Sequence, residues 1–329
     1  MIIAHAVLEI LDLRNSTYKF SDTELDFTKD LTNEYVTKII EKIKKNASKR
    51  EGEFNDSSEL KKTLQTFGKD TNFPEFAKIV SKQFIDTLNK SETYISSDLL
   101  IVEYREDNLD NLAFIFLDNE QAVTHAIYDV EGKSSNQITK SLELLPQSAL
   151  KINTFLIVSI PSLKFYAVEK LRKINGVKHK VLEENVMDAT FKPSTNDIYK
   201  AVKQEVQKLS ASDGLDKTEA IVNAKEHFNR HMDEQYIDIV QLADDVFKNQ
   251  SVKQEFISNL KKRGIPETAP LEYDLVMNKT KNQKIKTDTG IELVIPNDYF
   301  KDNQNVEIKD NPDGTMTIEI KNFTKIISR

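Results

Sequence analysis

The chain predicts an α+β fold: an N-terminal lobe with helices packed on a mainly antiparallel sheet, a helical middle region and a small C-terminal β unit. Three observations carry this reading. Helical periodicity and strand alternation occupy separate stretches instead of alternating as βαβ units. The run Leu112-Ala113-Phe114-Ile115-Phe116-Leu117 holds no polar residue, as in a central strand covered on both faces. Near the end, Asn311-Pro312-Asp313-Gly314 separates two alternating segments, a hairpin signal. With 329 residues the chain exceeds what a single core supports, so more than one unit is expected. The expected divisions are 1–194, 195–266 and 267–329.

Ile2 to Leu13 is rich in Ile, Val and Leu and reads as a strand. A helix follows in which Tyr35, Val36, Ile39, Ile40 and Ile43 fall at helical spacing, with lysines on its other side and at its end. Asp56-Ser57-Ser58-Glu59 starts a second helix that buries Leu60, Leu64 and Phe67 and stops at Gly68. Phe73-Pro74 opens a third, since proline suits a first helical turn. From Asp98 the pattern turns to strands: Asp98 to Tyr104, Leu112 to Leu117 and Ala122 to Val130 form a meander, extended by Ile138 to Leu145 and Ile152 to Ile160. Helices are expected over Asn196 to Leu209, Thr218 to Phe247 and Val252 to Arg263, broken at Ser212-Asp213-Gly214 and Lys248-Asn249-Gln250. Strands close the chain at Lys284 to Thr287, Ile291 to Ile295, Val306 to Lys309 and Met316 to Ile320.

Composition excludes several classes. Only 8 Gly and 8 Pro occur, with no Gly-rich phosphate loop and no collagen or low-complexity character. The absence of Cys removes thiolate metal sites, disulfides and Cys nucleophiles, and suits a reducing compartment. The N-terminus carries Glu9 and Asp12, has no basic leader and does not read as a signal peptide. No uncharged run approaches a membrane span, so no membrane association and a cytoplasmic location are expected.

Charge is the informative quantity. The balance of 46 basic and 53 acidic residues gives −7, which excludes a uniformly electropositive particle. It is not spread evenly. Lys38, Lys42, Lys44, Lys45, Lys49 and Arg50 face only Glu41 in their segment. Lys164, Lys170, Arg172, Lys173, Lys178 and Lys180 face only Glu169, with Phe165, Tyr166 and His179 interleaved. Smaller groups are Lys261-Lys262-Arg263 and Lys279, Lys281, Lys284 and Lys286. Between Ala211 and Asn249, nine acids stand against four bases, which makes this stretch a poor DNA face. Each basic cluster taken alone is also what a solvated helix face looks like.

The opening Ile3-Ala4-His5-Ala6 to Ile10-Leu11-Asp12, Leu25-Asp26, and the lysine-rich helix Val36 to Lys45 form one set of blocks. The strand pair Asp98 to Tyr104 and Leu112 to Leu117, Leu144-Leu145-Pro146, and the closing Gly314-Thr315-Met316-Thr317-Ile318-Glu319-Ile320-Lys321-Asn322 form another. In order and length they resemble the 37-kDa nucleoid-associated protein family (NdpA/YejK type). That resemblance implies a bacterial, nucleoid-located DNA-binding protein with no enzyme activity and no cofactor. It supplies no site residues, so the twelve basic residues of the two main clusters are the DNA-binding candidates, acting through phosphate contacts with little sequence preference. Double-stranded DNA is the expected partner, nucleoid proteins are further candidates, and homodimerisation would pair two modest patches. An alternative is a scaffold brought to the nucleoid by proteins, with the acidic helices as docking surface.

Catalytic and metal readings are weaker. His227 and His231 have i, i+4 spacing, but His227-Phe228-Asn229-Arg230-His231 lacks the glutamate of HExxH, and both read as exposed helix residues. His5 and His125 fall in strands and read as sheet residues. Glu319-Ile320-Lys321 matches only the last part of a restriction-type nuclease arrangement and reads as a cross-strand charge pair. No catalytic or metal-ligating residue is assigned.

Overall fold

A computed structural model describes the chain except residues 14, 47, 69–71, 93–95, 131, 148–150, 232–233, 273–275, 277–279, 297–298, 300–304 and 326–329. It divides into two compact units, Met1–Lys192 and Pro193–Arg329.

The elements of the first unit are β1 (Ile2–Asp12), β2 (Thr17–Lys19), α1 (Asp30–Lys44), β3 (Arg50–Phe54), α2 (Glu59–Gln65) and α3 (Phe73–Leu88). There follow β4 (Ser96–Glu106), β5 (Leu109–Asp118), β6 (Glu120–Val130), β7 (Lys133–Leu144) and β8 (Phe155–Ser159). Strands β9 (Phe165–Val168), β10 (Arg172–Ile174), β11 (Val177–His179) and β12 (Ala189–Phe191) complete it. Eight strands form one antiparallel sheet in the order β12-β3-β9-β8-β5-β4-β1-β2.

Alternation along the strands divides two cores. Leu99, Ile101, Leu112, Phe114, Phe116, Leu156 and Val158 face one side, where α2 and α3 bury Leu60, Leu64, Phe76, Val80 and Phe84 against them. Leu100, Val102, Ala113, Ile115, Leu117, Phe155 and Ile157 face the other, closed by Val36, Ile39, Ile40 and Ile43 of α1. The run Leu112 to Leu117 is thus a central strand with every residue buried, covered by helices on both faces.

One expectation about the sheet is corrected here. The segments Ala122 to Val130 and Ile138 to Leu145 do not extend the sheet: β5 pairs with β8, while among the described residues β6 and β7 pair only with each other as a long ribbon. Their alternation is genuine, but they carry too few large apolar residues to occupy a doubly covered position. The stretch after Pro161 holds four short strands, β9 to β12, of which β10 and β11 pair as a hairpin. Its turn, Asn175-Gly176, has φ of 51° and 76°, the signature of a two-residue turn that requires two left-handed residues.

The second unit comprises α4 (Thr195–Leu209), α5 (Lys217–Arg230), β13 (Tyr236–Asp238), α6 (Ile239–Val246), α7 (Gln250–Lys262) and β14 (Thr268–Pro270). It ends in two hairpins, β15 (Asn282–Lys286) with β16 (Glu292–Pro296), and β17 (Val306–Asp310) with β18 (Met316–Ile320). Thr218 to Phe247 is two helices and not one. Asp238 ends the extended β13 and accepts hydrogen bonds from the amides of Val240 (2.8 Å) and Gln241 (3.0 Å), which starts α6 afresh. Ala269, Leu271 and Val276 join the helical core of this unit.

Gly52 in β3 gives a test of the packing. A Cβ placed there would lie 2.5 Å from Phe165 Cε2 and 3.2 Å from Phe191 Cδ1, inside an aromatic layer with Phe54. Gly52→Ala is expected to destabilise the first unit by about 1–3 kcal/mol in denaturant unfolding; an unchanged midpoint would contradict this packing.

Candidate nucleic-acid interface

The two basic clusters are not equivalent in space to what they are in sequence. Burial of Val36, Ile39, Ile40 and Ile43 turns the opposite side of α1 to solvent, and Lys38, Lys42 and Lys45 are exposed there at i, i+4, i+7 spacing, alongside Glu34 and Glu41. Lys44 instead pairs with Glu106, and Arg50 pairs with Glu183 and stacks on Phe191, 4.3 Å from the ring centroid. Lys49 donates to the Lys44 carbonyl at 2.5 Å, and its Nζ lies 5.3 Å from the centre of the Tyr166 ring. Tyr166 is partnered with Ile157 on the face of the sheet that α1 covers, and strand alternation carries Lys164 to that same face. The end of α1, Lys49, Tyr166 and Lys164 therefore share one side of the first unit.

The rest of the second cluster behaves differently. Lys170 pairs with Asp118, and Lys180 lies 3.2 Å from Glu183. Arg172 is only 1% exposed, packed near Asp118 and Glu169, and so is not offered to a phosphate. Its place in the candidate set is corrected: the position is the first of β10 and points inward. Lys173 and Lys178, by contrast, are exposed and directly opposite one another across the β10–β11 hairpin. This finger is tied to the segment after α3, the helix covering the other face: the Glu92 amide donates to the Lys173 carbonyl at 2.9 Å, and the Gly176 amide donates to Glu92 Oε1 at 3.0 Å. The first unit thus keeps six exposed candidates, Lys38, Lys42, Lys45, Lys164, Lys173 and Lys178, none ion-paired with a described residue. They lie in two groups, Lys38, Lys42, Lys45 and Lys164 on the side that α1 covers, and Lys173 and Lys178 on the β10–β11 hairpin.

Beneath the finger, Glu169 is buried and accepts hydrogen bonds from the amides of Leu182 (2.9 and 3.1 Å) and Glu183 (2.9 Å), capping the helical turn that continues as Glu183–Met187. Burial pushes its pKa up to about 7, against the opposing pull of those amides. Burial likewise pulls Lys170 down.

In the second unit the acids of the Ala211 to Asn249 stretch are committed locally. Asp213 accepts from the amides of Lys248 (2.8 Å) and Asn249 (2.7 Å), Asp216 from those of Thr218 (2.7 Å) and Glu219 (3.1 Å), and Asp238 caps α6. Asp244 meets Lys253 at 2.8 Å, and Asp245 meets Arg230 at 2.7 Å. Sequence counting missed this because helix caps and a charged docking face use the same residue types. Asp233 and Lys279 lie outside the described residues.

His227 is not an exposed helix residue: it is fully buried, its Nδ1 is 2.6 Å from Asp245 Oδ2, and its ring lies 4.5 Å from that of His231. Burial lowers its pKa. His5 meets Glu24 at 2.8 Å beside Phe73, while His125 is exposed on the ribbon. Glu319 and Lys321 join Lys309 and Glu307 in a cross-strand ladder, with Lys309 to Glu319 at 2.9 Å. Among the described residues no group of three or more His, Asp or Glu is placed to hold a metal ion, and no helix is long and apolar enough to cross a membrane.

A layered α+β unit carrying lysines on two of its outer elements defines a class of acidic protein with locally basic surfaces. The chain belongs to the nucleoid-associated protein YejK family, whose family model matches residues 7–327. No curated protein matches it.

A raised carboxylate pKa gives a signed pH test. Between about 4.5 and 7 the native state holds a proton on Glu169 that the unfolded chain has lost, so this group's contribution to stability falls as pH rises through that window. Glu169→Gln is expected to flatten the dependence of Tm on pH between those values; an unchanged slope would show that Glu169 is ionised throughout.

Proposed function

We propose that this protein binds double-stranded DNA in the nucleoid through phosphate contacts, largely without sequence preference and without catalysis. One observation carries the reading: Lys173 and Lys178 stand directly opposite each other on an exposed hairpin with no acid between them. Like charges at such a position destabilise a strand pair, so an external polyanion is the natural counter-charge. Lys38, Lys42 and Lys45 along α1, with Lys164 and Lys49 beside Tyr166, supply a second strip. Membership of a nucleoid-associated family supports the same reading. Lys44, Arg50, Lys170 and Lys180, paired with acids of their own unit, are assigned supporting roles. The scaffold alternative is less well supported, because at least five of the acids that would form its docking surface serve caps and internal ion pairs.

The test is duplex binding across salt. Affinity is expected to fall steeply between about 50 and about 200 mM salt and to vary little with sequence. Replacing Lys38, Lys42 and Lys45 by Gln together is expected to reduce the salt slope by roughly 2–3, and replacing Lys173 and Lys178 by roughly 1–2, each lysine counting about 0.9. Unchanged slopes in both variants would remove these surfaces from the interface.

A further inference from the structure

The β6–β7 ribbon is the feature that neither the fold nor the DNA reading uses. Among the described residues, its strands pack on each other and on no other element beyond marginal contact. Register places Val123 opposite Lys140, His125 opposite Ile138, Ile127 opposite Asn136 and Asp129 opposite Ser134, so these eight side chains share one face. All eight are exposed, with Val123 at 73%, Ile127 at 70% and Ile138 at 84%. An isolated two-stranded hairpin is at best marginally stable in water, and an apolar stripe of this kind marks an interaction surface. DNA is not its occupant: from Glu120 to Leu144 the sequence holds Glu120, Asp129, Glu131 and Glu143 against Lys133 and Lys140.

We propose that this face docks against the same face of a second copy of the chain, with the two ribbons antiparallel about a twofold axis. The charges select that partner. Lys140 lies at one end of the apolar stripe and Asp129 at the other, three paired positions apart, or about 20 Å at roughly 3.3 Å per residue. An antiparallel arrangement stacks His125 and Ile138 over Ile127 and Asn136 of the other copy and brings each Lys140 diagonal to the opposing Asp129. A parallel arrangement would set lysine beside lysine and aspartate beside aspartate. A self-complementary surface of this kind is what a closed dimer requires. Asp129 is held in place by the Gly132 amide, which donates to its Oδ1 at 2.8 Å. Two ribbon faces of this length bury on the order of 1,000 Å² in total, the low end for a specific interface, so the dimer exchanges with monomer at micromolar concentration.

This inference does not rest on DNA binding, and its test contains no DNA. Sedimentation equilibrium of the full chain is expected to show a monomer–dimer equilibrium with a dissociation constant in the micromolar range. Ile138→Asp, a change at an exposed position, is expected to raise that constant on the order of a hundredfold, while far-UV circular dichroism, and Tm measured well below the dissociation constant, stay the same. Lys140→Asp and Asp129→Lys are each expected to weaken the dimer roughly tenfold, and the double exchange to return it to within about threefold of the original. A chain that stays monomeric at about 100 µM, an Ile138→Asp variant that dimerises as before, or a double exchange no tighter than the single ones would each overturn the proposal.

Discussion

The constraint on which the first unit depends is the double burial of β5. Leu112 to Leu117 sends alternate large apolar side chains to both sides of the sheet, and neither set can face water. Helices on both sides follow from it. On one side α2 and α3 supply phenylalanines and leucines; on the other, α1 supplies a stripe of Val and Ile at helical spacing. Because α1 spends one side on that core, its remaining side is fixed in direction, and Lys38, Lys42 and Lys45 are presented outward as a consequence of packing. The candidate interface is thus a by-product of how the sheet is covered.

The second organising effect is charge sorting. A basic residue in a basic stretch of sequence can end beside an acid far along the chain, and three of the candidates do: Lys44 meets Glu106, Arg50 meets Glu183 and Lys170 meets Asp118, while Lys180 meets Glu183 three residues on. Arg172 is drawn fully inside among Asp118 and Glu169. What survives at the surface is a smaller set than the sequence displays. The same sorting works in reverse in the second unit, where aspartates that inflate the negative count are engaged as helix caps. Net charge, here −7, is therefore a poor guide to either surface.

Much of the fold was legible because its signals are local. Apolar spacing marks α1, Phe73-Pro74 marks the start of α3, and the unbroken run at Leu112 marks the central strand. Ser194, whose hydroxyl and main-chain amide exchange hydrogen bonds with Asp197, marks the start of α4. Local signals do not specify partners that are distant in sequence. Alternation shows that Ala122 to Val130 is a strand but not that it pairs with Lys133 to Leu144 in place of the large sheet, since ladder order is not written in either strand alone. The break between α5 and α6 is visible locally as Asp238 before an apolar helix, and was overridden by helical spacing on both sides. For the interface, residue type located the clusters; ion pairing and inward orientation, which are long-range, decided which members reach solvent.

The central claim is that DNA meets the outward lysines of the first unit and avoids the acidic stretch of the second. Lysine acetylation footprinting by mass spectrometry, with and without a duplex at low salt, measures this most directly. Lys38, Lys42, Lys45, Lys164, Lys173 and Lys178 are expected to lose reactivity several-fold when DNA is bound, and to regain it at high salt, while Lys217 and Lys248 keep theirs. Protection centred on Lys217 and Lys248, or spread evenly over all exposed lysines, would contradict it.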